Sequence, residues 1–206
     1  MSSKRVDKSE KINEIAKMAL FLFAKKGYSA TSVEEIAEAA GIGKGTVYDY
    51  FSSKEEIFVR AISDWIMDLI NRMVESTRGI EDLVDRLKTF IEMVKNVLNV
   101  DEPDPKKLFA DIDMQTFMQG GAFYKRRHII KDMRATFCRL VVDILLDGVS
   151  KKKFKPEIAR DVTKIAVNLL AYLDGICMHY LIMEAYEEFE SQVDFYVKCF
   201  LDEILV

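Results

Sequence analysis

Residues 31–51 read Thr-Ser-Val-Glu-Glu-Ile-Ala-Glu-Ala-Ala-Gly-Ile-Gly-Lys-Gly-Thr-Val-Tyr-Asp-Tyr-Phe, and they gather the groups best suited to chemistry at a polyanion. Thr31, Ser32, Thr46, Tyr48 and Tyr50 carry hydroxyls, Lys44 and the nearby Lys54 carry ammonium groups, and Gly45 presents bare backbone. None of these forms a nucleophile–base pair. Their common capability is hydrogen bonding to phosphate oxygens and base edges. Elsewhere, His128 and His179 are too isolated for a metal or catalytic site, and Cys138, Cys177 and Cys199 lack metal-ligand spacing. No cofactor and no metal are expected.

The elements that position these groups are two short helices joined by a glycine turn. Ser32 with Glu35 makes a capping-box pattern at the start of the first. Ile36, Ala37 and Ala40 give that helix an apolar side, and Gly41 can take the positive φ of a sharp turn. The second helix is expected over residues 44–50, with Val47 and Phe51 facing inward. Such a pair can lay its second helix in the DNA major groove. Thr31 and Ser32 at one helix N-terminus and Lys54 at another are then suited to phosphates. Gly45 lets the backbone approach DNA closely, Lys44 can reach a guanine edge or a phosphate, Thr46 can meet a base edge or a thymine methyl, and Tyr48 and Tyr50 reach phosphates on rigid arms. Asp49 opposes phosphate unless it accepts from a cytosine amino group.

The same stretch resembles the N-terminal domain of TetR-like transcriptional regulators. The matching residues are Gly27-Tyr28, Thr31-Ser32-Val33, Ile36-Ala37, Ala40-Gly41-Ile42, Gly45-Thr46, Tyr48, Tyr50-Phe51, Lys54 and Ile57. Gly43 departs from the serine the family often has there, which predicts a weaker cap on the second helix. The resemblance implies a helix-turn-helix head, a homodimer and a ligand-binding helical body. It is specific over about the first sixty residues and architectural beyond them.

Composition agrees with a folded, all-α chain. Of 206 residues half are hydrophobic and 31% charged, with three prolines and nine glycines. No apolar run approaches the ~20 residues of a membrane span, so no membrane partner is expected. Met1-Ser2-Ser3-Lys4-Arg5 lacks the apolar core of a signal peptide. The odd, scattered cysteines suit reduced thiols, and a cytoplasmic location is expected. Net charge is −4, unevenly spread. Residues 1–53 hold eight Lys/Arg against seven Asp/Glu, and the rest hold 22 against 27. DNA affinity must therefore come from local placement of Lys4, Arg5, Lys44 and Lys54, not from a general basic field.

Helical periodicity predicts about nine helices: 8–26, one from the Ser32 cap, 44–50, 54–76, 80–99, 106–119, 123–146, 156–184 and 187–205. Pro103 and Pro105 mark a loop at 101–105, and Gly148 is expected to close the seventh helix. The chain divides at residue 53 into a three-helix DNA-binding head, 1–53, and a ligand-binding and dimerisation body, 54–206.

The last two helices are apolar over most of their circumference, so each needs two buried faces. Leu169, Tyr172, Ile176, Tyr196 and Phe200 are the expected homodimer contacts. Ten methionines and thirteen phenylalanines enrich the chain in adaptable and flat apolar groups. Phe90, Met93, Phe109, Met114, Phe117, Phe137 and Tyr172 are candidates for a pocket taking a small hydrophobic ligand, although an ordinary core explains any one of them more readily. Asp111 and Asp113 could pair with a cationic ligand, but solvation of at least one of them is the simpler reading. Lys125-Arg126-Arg127-His128 reads as a solvated helix face in preference to an acyl-CoA phosphate site. Cys177 reads as packing.

The expected function is DNA-binding transcriptional regulation by a homodimeric repressor that a small lipophilic ligand releases from double-stranded operator DNA. The alternative is a helical DNA-binding or adaptor protein without a small-molecule switch. An all-helical enzyme is disfavoured because no catalytic constellation is present.

Overall fold

A computed structural model describes residues 8–97, 105–183 and 186–206. Lys4, Arg5 and most of the predicted 101–105 loop lie outside the described residues. Among those described there are nine α-helices and no strand, only one isolated antiparallel bridge between Phe154 and Leu205. The chain divides into two compact units, residues 1–69 with 100–130 and residues 70–99 with 131–206.

The first unit contains α1 (Lys8–Lys26), α2 (Val33–Ala39), α3 (Lys44–Tyr48), α4 (Lys54–Thr77) as far as Leu69, and α6 (Pro105–Phe117). The stripe Ile15, Ala16, Ala19 and Phe23 on α1 is buried, as its helical spacing requires. Phe58 of α4 sits at the centre of an aromatic cluster, with ring centroids 5.0 Å from Phe23, 4.7 Å from Tyr28 and 5.8 Å from Phe123. Edge-on and tilted packing of this kind adds about 0.5–1.5 kcal/mol per pair to simple area burial. Gly27 closes α1 at φ +87°, with its N–H on the carbonyl of Phe23.

Residues 121–126 turn instead of starting the helix expected from 123. The N–H of Phe123 returns to the carbonyl of Gln115, and the buried Gln115 side chain accepts the N–H of Ala122. This turn seats Phe123 against Phe58. Gly121 is required there, since a Cβ would lie 2.3 Å from the Gln115 carbonyl oxygen. Arg126 and Arg127, read from sequence as a solvated face, donate to the carbonyls of Ala122 and Thr116.

The second unit contains α5 (Leu83–Val97), most of α7 (Arg127–Ser150), α8 (Val162–Met183) and α9 (Phe189–Ile204), with short 3-10 turns before α8 and α9. α5 starts at Leu83, not at Ile80, because the Asp82 side chain accepts the N–H groups of Val84 and Asp85. Leu87 and Phe90 of α5, Val141 and Leu145 of α7, Leu169 and Leu173 of α8, and Val193 and Leu201 of α9 are buried. Lys95 is almost wholly buried, and its ammonium is held by Glu92 and Asp194 at 2.8 Å each.

Gly148 lies inside α7 and does not end it, which corrects the expectation. The helix continues to Ser150, and Phe154 folds back over the bare Gly148 backbone, where a Cβ would fall 1.9 Å from its ring; the glycine serves this close packing and not a helix stop. The run Pro156–Met183 is long and apolar enough by length and composition to cross a membrane, contrary to the sequence reading. The feature follows from α8 being apolar around most of its circumference. Val167, Ile182 and Met183 are exposed on the unit described here.

Candidate nucleic-acid interface

The site is built on local chemistry first. Ser32 caps α2, its hydroxyl accepting the Glu35 N–H, while the Glu35 carboxylate accepts the Ser32 N–H at 2.8 Å. Lys26 also bonds Glu35, and this is the largest cause holding that carboxyl down to about 2. Gly41 turns the chain at φ +65°. Gly43 precedes α3 in extended backbone with no side-chain cap, so the weaker cap expected from the missing serine is present.

α3 is shorter than expected. It ends at Tyr48, and the N–H groups of Tyr50 and Phe51 both turn back to the Val47 carbonyl. That turn drives Phe51 inward. Val47 is fully buried and Phe51 nearly so, which fixes the helix from beneath. The opposite face carries exposed Lys44, Gly45, Tyr48 and Asp49, with Thr46 and Tyr50 half-buried.

The ammonium of Lys44 bonds the carboxylate of Glu34 on α2 and lies 6.0 Å from the centroid of the Tyr48 ring. Hydrogen bonding from Lys44 holds the Glu34 carboxyl below the usual range and raises the lysine in turn. The two helices thus share one ion pair on the face that bears the candidate contacts. Glu34 was not singled out by sequence. Its signal would have been an acid ten positions before the lysine across a tight turn.

Two of the predicted contacts sit differently. Thr31 is buried, its hydroxyl donating to the Gly27 carbonyl at 2.8 Å. Lys54 donates to the carbonyls of Tyr28 and Thr31 at 3.0 Å each and lies 4.4 Å from the centroid of the Tyr28 ring. Lys54 thereby ties the start of α4 to the connector between α1 and α2. On the other side of that connector, half-buried Asp111 of α6 accepts the Tyr28 N–H. Asp111 thus has a backbone partner within its own unit, which the sequence reading of it as solvated or paired with a cationic ligand did not supply.

The predicted pocket residues are drawn from both units. Phe90 and Phe137 pack edge to face at 6.5 Å, and Met93 accepts the Ser76 hydroxyl. Phe109 packs on Trp65 in the other unit, where Met114 and Phe117 are exposed. Among the predicted dimer contacts, Tyr172 stacks on Tyr196 with centroids 3.5 Å apart, and Tyr196 on Phe200 at 6.2 Å. Leu169 is spent on the core of its own unit. Tyr196 and Phe200 also line a groove of about 580 Å³ with Ile158, Ile165 and Ile204. Among the described residues no cluster of His, Cys, Asp and Glu could hold a metal ion.

Comparison with known proteins bears directly on this geometry. Residues 15–61 match the family described as bacterial regulatory proteins, tetR family. Over 158 residues, 72% of this chain and 72% of the relative, the sequence is 28% identical to the HTH-type transcriptional repressor KstR2 of Mycobacterium tuberculosis. The fold resembles that of a putative transcriptional regulator from Saccharomonospora viridis in complex with choline, with a TM-score of 0.78 over 96% of this chain and 99% of that one at 19% identity. It also resembles the transcriptional regulator FadR of Bacillus subtilis in complex with stearoyl-CoA, with a TM-score of 0.73 over 93% and 98% of the two chains at 18% identity.

Proposed function

We propose that this chain, which resembles the TetR-like transcriptional regulators in sequence and fold, is a cytoplasmic homodimeric repressor that binds operator DNA and is released from it by a small lipophilic ligand. The functional division proposed is a DNA-binding head, residues 1–53, and a ligand-binding and dimerising body, residues 54–206. The observation that carries the reading is the two-sided character of α3. Val47 is locked into the core while Lys44, Gly45, Thr46 and Tyr48 remain available to a groove. Ser32 and Tyr50 are the proposed flanking phosphate contacts. Thr31 and Lys54 serve by shaping the α1–α2 connector.

Dimerisation is supported by apolar side chains that α8 and α9 leave exposed, Val167 and Phe195 among them. Two α3 helices in such a dimer would read half-sites about 34–36 Å apart. Repression is supported by the relative KstR2, a repressor. A lipophilic ligand is supported by the Met- and Phe-rich body around Phe90, Met93 and Phe137 and by the stearoyl-CoA complex of the FadR neighbour. α4 runs unbroken from Lys54 to Thr77 and so carries residues of both units. A ligand that binds two states of the body unequally would bias the head through it by the difference in affinity.

The test is fluorescence anisotropy of the purified protein with DNA from upstream of its own gene, over a salt series, then with stearoyl-CoA or choline added. Sequence-preferring binding whose log K falls linearly with log salt, reversed by stearoyl-CoA and not by choline, is the expected result. DNA binding that neither these nor other lipophilic ligands alter would favour the regulator without a small-molecule switch.

A further inference from the structure

The Glu34–Lys44 pair is set where a simple cationic contact would be expected. The head carries almost no net positive charge, so each exposed lysine on its DNA-facing side weighs heavily in sequence-independent attraction. Lys44 is 48% and Glu34 59% exposed at the side chain, so the pair stands in solvent on the surface of α2 and α3. An ammonium bonded to a carboxylate presents no net charge to a phosphate at the distance of a neighbouring strand. It nevertheless keeps donors, because an ammonium has three N–H bonds and Glu34 engages one. Those remaining donors are directional, and guanine O6 and N7 are the acceptors they suit. The Tyr48 ring beside the same ammonium further limits where it can swing.

Resting on the assignment of α3 as the recognition helix, we infer that Glu34 is a specificity-determining residue. It withdraws Lys44 from non-specific phosphate attraction while holding the remaining N–H donors of Lys44 in place to read a base edge. An unpaired lysine here would strengthen binding to every sequence alike. The paired lysine contributes to the correct sequence in preference to others. This is also a reason for a carboxylate on a surface where phosphate repels it.

The experiment compares the full-length parent, Glu34→Gln and Glu38→Gln on two duplexes: one selected by the parent from a random library, and a scrambled duplex of equal composition. Glu38 is exposed on the same helix and controls for the loss of one negative charge. With Glu34→Gln, binding to the scrambled duplex should tighten about threefold, and its log K against log salt should steepen by about 0.9, one added counterion released. Binding to the selected duplex should tighten less, so the specificity ratio falls. Glu38→Gln should leave the ratio at the parent value. An unchanged slope and ratio for Glu34→Gln, or an equal fall for Glu38→Gln, would overturn the inference. A parent that selects no sequence would instead overturn the recognition-helix assignment beneath it.

Discussion

Asp111 of α6 accepts the backbone N–H of Tyr28 at 2.5 Å, across 83 residues of chain. Burial raises its carboxyl above the ordinary range, outweighing the opposing effects of that hydrogen bond and of Lys54. The carboxylate is therefore kept as an acceptor at an electrostatic cost. Asp111→Ala, which orphans the Tyr28 amide, should cost about 1–3 kcal/mol in denaturant unfolding at neutral pH. Asp111→Asn retains an oxygen acceptor without the desolvated charge and should cost less than half as much. Equal losses in the two variants would mean that the charge, not the acceptor, holds the connector.

Lys54 holds the same connector from α4, donating to the carbonyls of Tyr28 and Thr31. Lys54→Met keeps the aliphatic stem and removes both donors. Unfolding free energy should drop by about 1–3 kcal/mol. The salt slope of DNA binding should stay within about half a counterion of the parent, because the ammonium faces the connector. A slope shallower by about one would place Lys54 on a phosphate.

Tyr48 is 47% exposed and rests on the buried Val47 turn without entering the core. Tyr48→Ala should weaken operator binding about tenfold or more while the thermal midpoint stays near that of the parent. Tyr48→Phe separates the hydroxyl from the ring. If the phenol contacts a phosphate, the Phe variant should lose most of that affinity.

Acid should act on the head through Glu35. Its carboxyl is depressed from the ordinary 4.5 to about 2 in the folded chain, first by the Lys26 hydrogen bond and then by Ser32. An unfolded chain binds that proton first as pH falls. The stabilisation from Glu35 is thus complete above pH 4.5 and is lost between there and about 2. Glu35→Gln should flatten the stability profile over that interval in denaturant titrations. A parent profile that is already flat across it would count against the capping box as an ionic device.

Gly148→Ala tests the crossing of Phe154 over α7. Helix propensity alone would favour alanine by about 1 kcal/mol. The added methyl, however, would meet the Phe154 ring at 1.9 Å with that ring fully buried. Net destabilisation of about 1–3 kcal/mol is expected by thermal unfolding. Pairing it with Phe154→Leu should recover part of the loss relative to the sum of the single changes.

What the sequence determined by itself was whatever depends on neighbours three or four positions away. The buried stripe Ile15–Ala19–Phe23, the Ser32–Glu35 capping box, the turns at Gly27 and Gly41, the uncapped start of α3 and the inward Val47 are all local. The capping and turn hydrogen bonds close within one turn of helix, and the apolar stripe is marked by its own spacing, so residue types in order suffice to place them. The likeness of this segment to the tetR family was legible for the same reason.

Only the tertiary structure decided where the long polar side chains point and which glycines can be spared. Lys54 looks like a phosphate ligand in sequence, yet its ammonium turns to carbonyls 23 and 26 residues away. Asp111 looks solvated until Tyr28 is brought to it, and Gly148 looks like a helix stop until Phe154 lies across it. The seventh helix begins late because Phe123 is claimed by the Phe58 cluster. In each case an unpaired polar group or an unfilled volume is resolved by a partner distant in the chain. Local pattern carries no information about which partner folding will supply.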